Sequence, residues 1–207
     1  LYMRNNFSIV GYSGHSFVIL DSAFRSKLDC TGYYDRYKKE FNPFNLDYLG
    51  LESDIVSSER IFITIGDNKI RRNIYEDLIN KHFISFLNII DSTSSVSKFA
   101  FIKPDSSISI GVNSVINSLA KIEAGSIINT GSIIEHEVEI GKFSHIAPNA
   151  TICGGVNVGE NVFVGANAVV KEGVRIGNNS IIGAGAVVLN NIPPNTTYVG
   201  NPAKKIK

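Results

Sequence analysis

A carboxylate–histidine–carboxylate triplet, Glu135-His136-Glu137, stands in the middle of the segment from Gly131 to Gly155. A further acid, Glu139, and a second histidine, His145, follow in the same stretch. Histidine, with an ordinary pKa of ~6.5, accepts a proton near neutrality. A carboxylate beside it can hold one ring nitrogen and present the other as a general base. The chemistry this constellation suits is removal of a proton from an attacking amine or hydroxyl. Cys153 has no basic partner in the sequence, so transfer through the protein's own thiol is a minor reading. Cys30 and Cys153 form no CxxC, and no metal site is implied. A lone histidine is by default a satisfied surface or core residue, and the flanking acids set His136 apart from that default.

A second constellation lies near the start. Gly11-Tyr12-Ser13-Gly14-His15-Ser16 follows the apolar run Phe7–Val10 and opens an amphipathic helical pattern reaching about Ser26. Gly11 and Gly14 would let backbone approach a ligand, and a helix N-terminus offers unpaired N–H groups to a phosphate. Asp35 ends the next apolar run, "LDCTGYYD", where an acid commonly meets a ribose or base edge. The turn is not GxGxxG, and a plain strand-to-helix turn is the alternative. His82, late in the second predicted helix, would complement that helix's dipole.

The elements that must carry these groups differ between the two halves. From Ile110 to Val188 every sixth residue is Ile or Val, fourteen positions in succession. The positions two residues earlier are Ser, Ala or Val, with one Ile. Period six matches neither a helix nor a plain strand. It matches short strands joined by tight turns, coiling around a stack of β-branched residues, three hexapeptides to a coil. Fourteen repeats predict between four and five coils, opened after Pro104 and closed by Pro193-Pro194. His136, two residues past an inward Ile, falls at a corner. An ice-binding or purely structural solenoid is the competing reading of the repeat alone.

The first half alternates strand and helix: Phe7–Val10, a helix, "LDCTGYYD", "RIFITIGDN" running into Gly66, the helix "KIRRNIYEDLINKHF", and "ISFLNII". That order predicts a small parallel sheet. Ile70, Ile74, Leu78 and Ile79 are taken as the buried face of the second helix. Residues 36–59 are expected to be an irregular loop or a weak helix. About ninety residues cannot supply both halves of a dinucleotide fold. Domains are therefore expected at 1–92 and 93–207.

Composition narrows the class. Lys plus Arg is 20 against Asp plus Glu 19, which argues for neither nucleic acid nor an anionic membrane as partner. No apolar run approaches the ~20 residues of a membrane span. The first residues lack the layout of a signal peptide, and two distant cysteines suit a reducing compartment, so a cytoplasmic location is expected.

A βαβ domain followed by a hexapeptide solenoid resembles the PglD/NeuD family of bacterial sugar acyltransferases. The matching segments are "IVGYSGHS", "YYD", "IGDNKIRRNIYEDL", the run from Gly131 to Val170, and "VGNPAKKIK". The resemblance implies a left-handed parallel β-helix and an obligate homotrimer with active sites between neighbouring coils. It implies N-acetylation, from acetyl-CoA, of a UDP- or dTDP-linked 4-amino-4,6-dideoxy hexose, in a surface-glycan pathway such as O-antigen synthesis. His136 would be the base and Glu137 its orienting acid, with the Gly154 amide on the oxyanion. His145 would lie near the thioester, and Gly165, Ala166, Gly183 and Ala184 would line the pantetheine groove. Ser13, Gly14, His15, Asp35 and Gly66 would hold the nucleotide sugar. The chain departs from the family pattern at Tyr12, Ser16 and Arg36. An O-acetyltransferase and a non-catalytic binding module are the alternatives. Lys204, Lys205 and Lys207 could meet CoA phosphates or form a solvated tail.

Overall fold

The structure, a computed structural model, describes residues 6–56, 59–81 and 84–207, the last residue of the second segment by its backbone alone. His82 lies outside the described residues. The chain begins with β1 Asn6–Val10, α1 Gly14–Arg25, β2 Asp29–Tyr34, β3 Asp47–Gly50, β4 Arg60–Ile63, α2 Asn68–Lys81 and β5 Ser85–Phe86. These strands form one sheet in the order β3-β2-β1-β4-β5, every neighbouring pair parallel. The helices cover it through two apolar clusters, one around Leu20, Tyr33 and Phe62 and one around Ile63, Ile74 and Leu78.

Three expectations for this half need correcting. Strand β3 lies inside the segment expected to be irregular. Asp47 to Gly50 pair with β2 across a register shift, and Gly50, at φ 116, ends the pairing. Ile70 and Ile79 are each 51% exposed, and the buried face of α2 carries Arg71, Ile74 and Leu78. The run "ISFLNII" is two strands. Its first part, β5, completes the sheet, while β6, Ile89–Ile90, pairs with Ser109–Ile110 of the solenoid. Asn88 makes the handover. Its amide donates to the Lys103 carbonyl, and its oxygen accepts from the Ser106 and Ile108 amides.

From β6 onward the chain is a parallel β-helix, built of two-residue strands six residues apart, but for one step of eight, up to β22, Val187–Val188. It has a six-stranded, a five-stranded and an eight-stranded face. The inner residue of each strand from Ile110 to Val188 is at most 2% exposed. Each such side chain contributes ~1.5–3 kcal/mol by leaving water. The small row behind it is equally dry, and its serines find acceptors: Ser126, Ser132 and Ser144 donate to the Gly141, Ala147 and Gly159 carbonyls. The prism starts one coil earlier than the sequence pattern indicates. Ile90, Val96 and Ile102 keep the period, but eight residues separate Ile102 from Ile110, and this two-residue insertion at Pro104-Asp105 shifts the phase. The far end is closed by β23 Thr197–Val199 and β24 Lys204–Lys205, an antiparallel pair.

Corner residues take positive φ. Most are Asn or Gly, but Glu137 (φ 61) and Phe143 (φ 58) do so as well. A bulky side chain in this region costs roughly 1–2 kcal/mol. Phe143 recovers it against the first domain, where Tyr75 packs edge-on at 5.3 Å and the Arg72 guanidinium lies 5.8 Å from the ring centroid.

Candidate functional site

His136 stands in the turn between Ile133–Ile134 and Glu139–Ile140, at the corner where the six- and five-stranded faces meet. Its side chain is 62% exposed, and Nδ1 lies 3.1 Å from Glu137 Oε2. The positive φ of Glu137, fixed by its amide donating to the Ser118 carbonyl, turns the carboxylate back onto the preceding ring. No hydrogen bond of Nε2 is found among the described residues. One coil on, Gly154 lies against the same ring, and a Cβ there would come within 2.6 Å of Nε2. The Gly155 amide donates to the His136 carbonyl and the Gly173 amide to the Gly154 carbonyl. No hydrogen bond of the Gly154 N–H is found among the described residues. An imidazole and an N–H with no acceptor among the described residues therefore belong to the same corner. Burial and the charges of Glu172 and Glu135 push the Cys153 thiol up, away from the thiolate a covalent route would need.

His145 lies elsewhere. It points outward from His145–Ile146 on the eight-stranded face, which the first domain covers, and it is 8% exposed. Nε2 is 3.2 Å from Asn129 Nδ2 and Nδ1 is 3.4 Å from the Gly66 carbonyl. The Asn129 oxygen already accepts from the Thr130 amide, so its NH2 faces the ring. The tautomer that satisfies both contacts carries its proton on Nδ1. His15, from the first turn of α1, comes within 5.9 Å of His145, centroid to centroid. Burial, then the charge of Arg71, lowers His15 to about 4 and His145 to about 3. Within one chain the structure thus joins His145 to His15 and Gly66 and sets His136 at a corner away from that covered face.

Of the residues expected to hold a nucleotide sugar, Ser13 and Asp35 line a pocket of about 500 Å³, with Gly11, Tyr12, Arg36, Lys39, Glu52, Ile65, Ile70, Asn73 and Ile74, whereas Gly14, His15 and Gly66 lie outside that lining. Gly11 needs its glycine: φ is +89, and a Cβ would stand 2.8 Å from Ile65. Asp35 accepts from the Tyr12 amide at 3.0 Å and pairs with Lys39 at 3.0 Å. The Tyr12 ring turns away into the core and stacks on Tyr33 at 4.5 Å, so that departure from the family pattern leaves the pocket open. Gly14 opens α1 with free space around it. A neighbouring groove of about 710 Å³ runs from Gly66 and Asp67 over Phe163 and Ile181 to Lys207. Lys39, Glu52 and Asn73 are pocket residues that pattern-reading misses: Lys39 and Glu52 lie on either side of β3, in the segment expected to be irregular, and Asn73 is a polar position of α2 that its apolar periodicity does not mark.

Gly165 and Gly183 have a structural reason to be glycine. A Cβ on Gly165 would overlap the backbone of Gly183 and Ala184, and one on Gly183 would stand 2.7 Å from Val199. With Ala166 and Ala184 they form the corner between the eight- and six-stranded faces.

Among the described residues no group of three metal-ligating side chains occurs, and no helix is long and apolar enough to cross a membrane. The family described as PglD N-terminal domain matches residues 6–78, and that described as bacterial transferase hexapeptide (six repeats) matches residues 155–190. Among solved structures, PerB from Caulobacter crescentus in complex with CoA and GDP-perosamine superposes with a TM-score of 0.88 at 28% identity, covering 99% of this chain and 98% of that one. A variant of the perosamine N-acetyltransferase of Caulobacter crescentus gives 0.89 at 27% identity, with the same coverage. The acetyltransferase domain of PglB from Neisseria gonorrhoeae, with acetyl coenzyme A, gives 0.89 at 24% identity over 98% and 99% of the two chains, a likeness of fold. An uncharacterized protein of Acanthamoeba polyphaga mimivirus is 33% identical over 123 residues, 58% of this chain. That match spans 23% of the viral protein's length.

Proposed function

From a chain that joins a PglD N-terminal domain to a bacterial-transferase hexapeptide β-helix, we propose an acetyl-CoA-dependent N-acetyltransferase acting on a nucleotide-linked 4-amino-4,6-dideoxy hexose. The observation that carries the mechanism is the juxtaposition of His136, Glu137 and a Gly154 amide that has no acceptor among the described residues. The sugar's amine nitrogen attacks the thioester carbonyl carbon. His136 Nε2 takes the proton the nitrogen sheds, while Glu137 holds Nδ1 and supports the imidazolium. The Gly154 N–H donates to the oxygen that becomes negative, an arrangement worth roughly 3–4 kcal/mol in comparable sites. Collapse breaks the C–S bond, and the proton on His136 passes to the departing CoA sulfur. The pocket of Asp35, Arg36, Lys39 and Asn73 would receive the nucleotide, with carboxylate, cations and amide all available to a base edge and phosphates.

The uncovered six-stranded face favours a homotrimer. Its outward residues include Val115, Ile133, Thr151, Val169 and Val187. The five-stranded face instead carries Lys121, Glu139, Asn157 and Arg175. An apolar, unpartnered face asks for a partner. Two further copies packed there would border the His136 corner and set it against a neighbour's first domain.

The test is thiol release from acetyl-CoA with GDP-, UDP- and dTDP-linked 4-amino-4,6-dideoxy sugars, run beside His136→Ala. Turnover with one donor, reduced ~10²–10⁴-fold in the variant, is the expected result. Turnover only with a hydroxylated sugar would reassign the enzyme to O-acetylation. Activity indifferent to His136→Ala would remove the base from the mechanism.

A further inference from the structure

Among the described residues the largest fully buried side chain is an arginine, Arg71 on α2, at 0% exposure. A guanidinium has five N–H donors, and here each meets an oxygen. Nε donates to the Gly125 carbonyl at 2.7 Å. One terminal nitrogen donates to the Ile65 and Gly66 carbonyls, both at 3.0 Å. The other donates to Asn68 Oδ1 at 2.8 Å and the Phe143 carbonyl at 2.9 Å. Gly125 and Phe143 are corners of successive coils, whereas Ile65 and Gly66 follow β4 at the edge of the nucleotide pocket. One side chain therefore bolts the pocket to the prism. Lysine, with three donors on a flexible stem, cannot reproduce that planar pattern.

The bolt acts where the two halves of the site adjoin. The Gly66 carbonyl that receives Arg71 also receives His145 Nδ1–H, and His15 stands against Gly66 from the α1 side. Ile65 lines the nucleotide pocket, and Gly66 lines the groove beyond it. We propose that Arg71 is a positioning residue for acyl transfer: it fixes the Ile65–Gly66 carbonyls against the solenoid, and so sets the His145 tautomer and the distance the nucleotide-held sugar must span. The proposal rests on the transferase reading for its catalytic consequence but not for its geometric one. The fixed charge has a second effect. The charged and titratable groups acting on the histidine pair are Arg71 from α2 and, on His145, His15 from α1, while Asp67 acts on Arg71 itself. A permanent cation at this seam disfavours protonation of both rings.

The experiment uses full-length Arg71→Met and Arg71→Lys beside Tyr75→Leu, which weakens the same seam without touching the guanidinium. Imidazole nitrogen NMR across pH 5–8, with histidines assigned by single His→Gln variants, needs no substrate. The wild type and Tyr75→Leu should show His145 neutral with its proton on Nδ1. Arg71→Met should show mixed tautomers, with titration moving toward the ordinary ~6.5. Arg71→Lys, which keeps charge but loses the fork, should keep the rings neutral and still mix the tautomers. If turnover is established, kcat/KM for the nucleotide sugar should fall roughly 10²-fold in both variants, with KM for acetyl-CoA little changed. A wild-type histidine spectrum in a folded Arg71→Met overturns the proposal. Should that variant fail to fold, a wild-type tautomer in Arg71→Lys does the same. An altered spectrum in protein inactive on every donor leaves the bolt standing and removes the transferase reading instead.

Discussion

The imidazole of His136 and the α-carbon of Gly154, one coil apart, are in such close contact that a Cβ on Gly154 would come within 2.6 Å of Nε2. Glycine is what permits the ring to lie against this turn, where the Gly154 amide has no acceptor among the described residues. Gly154→Ala should therefore push the ring aside. Because His136 is a largely exposed side chain that can rotate, the melting temperature should hardly change. Misplacing the proposed base and crowding the proposed oxyanion donor should together lower kcat by ~10² or more. A Gly154→Ala enzyme with normal kcat would show that the close contact has no catalytic meaning.

Glu137 contributes its carboxylate to Nδ1 of His136 and a positive φ to the corner. Glu137→Asn separates the two roles, since asparagine tolerates that backbone region and brings no negative charge. The expected outcome is a folded enzyme that loses part of the ~10²–10⁴-fold a general base supplies. Glu137→Val should lose stability as well, because a β-branched side chain resists positive φ. Chemical denaturation alongside kcat separates the two, and equal stability of the Asn and Val variants would refute the backbone assignment.

Val169 is 38% exposed on the uncovered apolar face. Val169→Glu places a charge where two copies would meet. Sedimentation should show the assembly shifting toward monomer, with activity falling in step. A monomeric wild type of full activity would count against any site shared between copies.

His15 and His145 bear on stability through pH. Their pKa values in the fold, about 4 and about 3, lie below the ~6.5 of an unfolded chain. The unfolded chain thus binds more protons in acid. The stabilisation is complete above pH ~6.5 and declines as pH falls toward 4, by up to ~1.4 kcal/mol per pH unit for each ring. Denaturant unfolding of the wild type at pH 7.5 and 5 should show the loss, and His15→Gln or His145→Gln should make the difference smaller. Identical differences in all three would mean that both rings protonate freely in the folded protein.

How much of this is legible in the sequence follows from the range of the forces involved. The Ile and Val rows are a local, repeated pattern, so the prism and the corner placement of His136 can be read from them. Its first coil escapes because two inserted residues break the phase at Pro104-Asp105. Strand β3 escapes because four half-exposed residues carry no strong alternation. Arg71 escapes because "KIRRN" has the composition of a solvated helix face. Its burial depends on carbonyls 54 and 72 residues away, brought near only by the packing of one domain on the other. The same distance hides the meeting of His15 and His145, which share no spacing rule in the chain.

From Ser109–Ile110 to Val187–Val188 every strand pairing along the prism joins residues eighteen apart, as Glu139 and Asn157 do. His136 and Gly154 are related by the same step. Evolution can therefore lengthen or shorten this molecule in whole coils without touching the chemistry, provided the duplication or deletion falls outside the coil that links them. A gain of one coil above Gly155 would leave His136 and its Gly154 neighbour intact and carry the C-terminal hairpin about 4.8 Å farther from the first-domain pocket. Coil number can thus change while the corner that sets His136 against Gly154 stays the same.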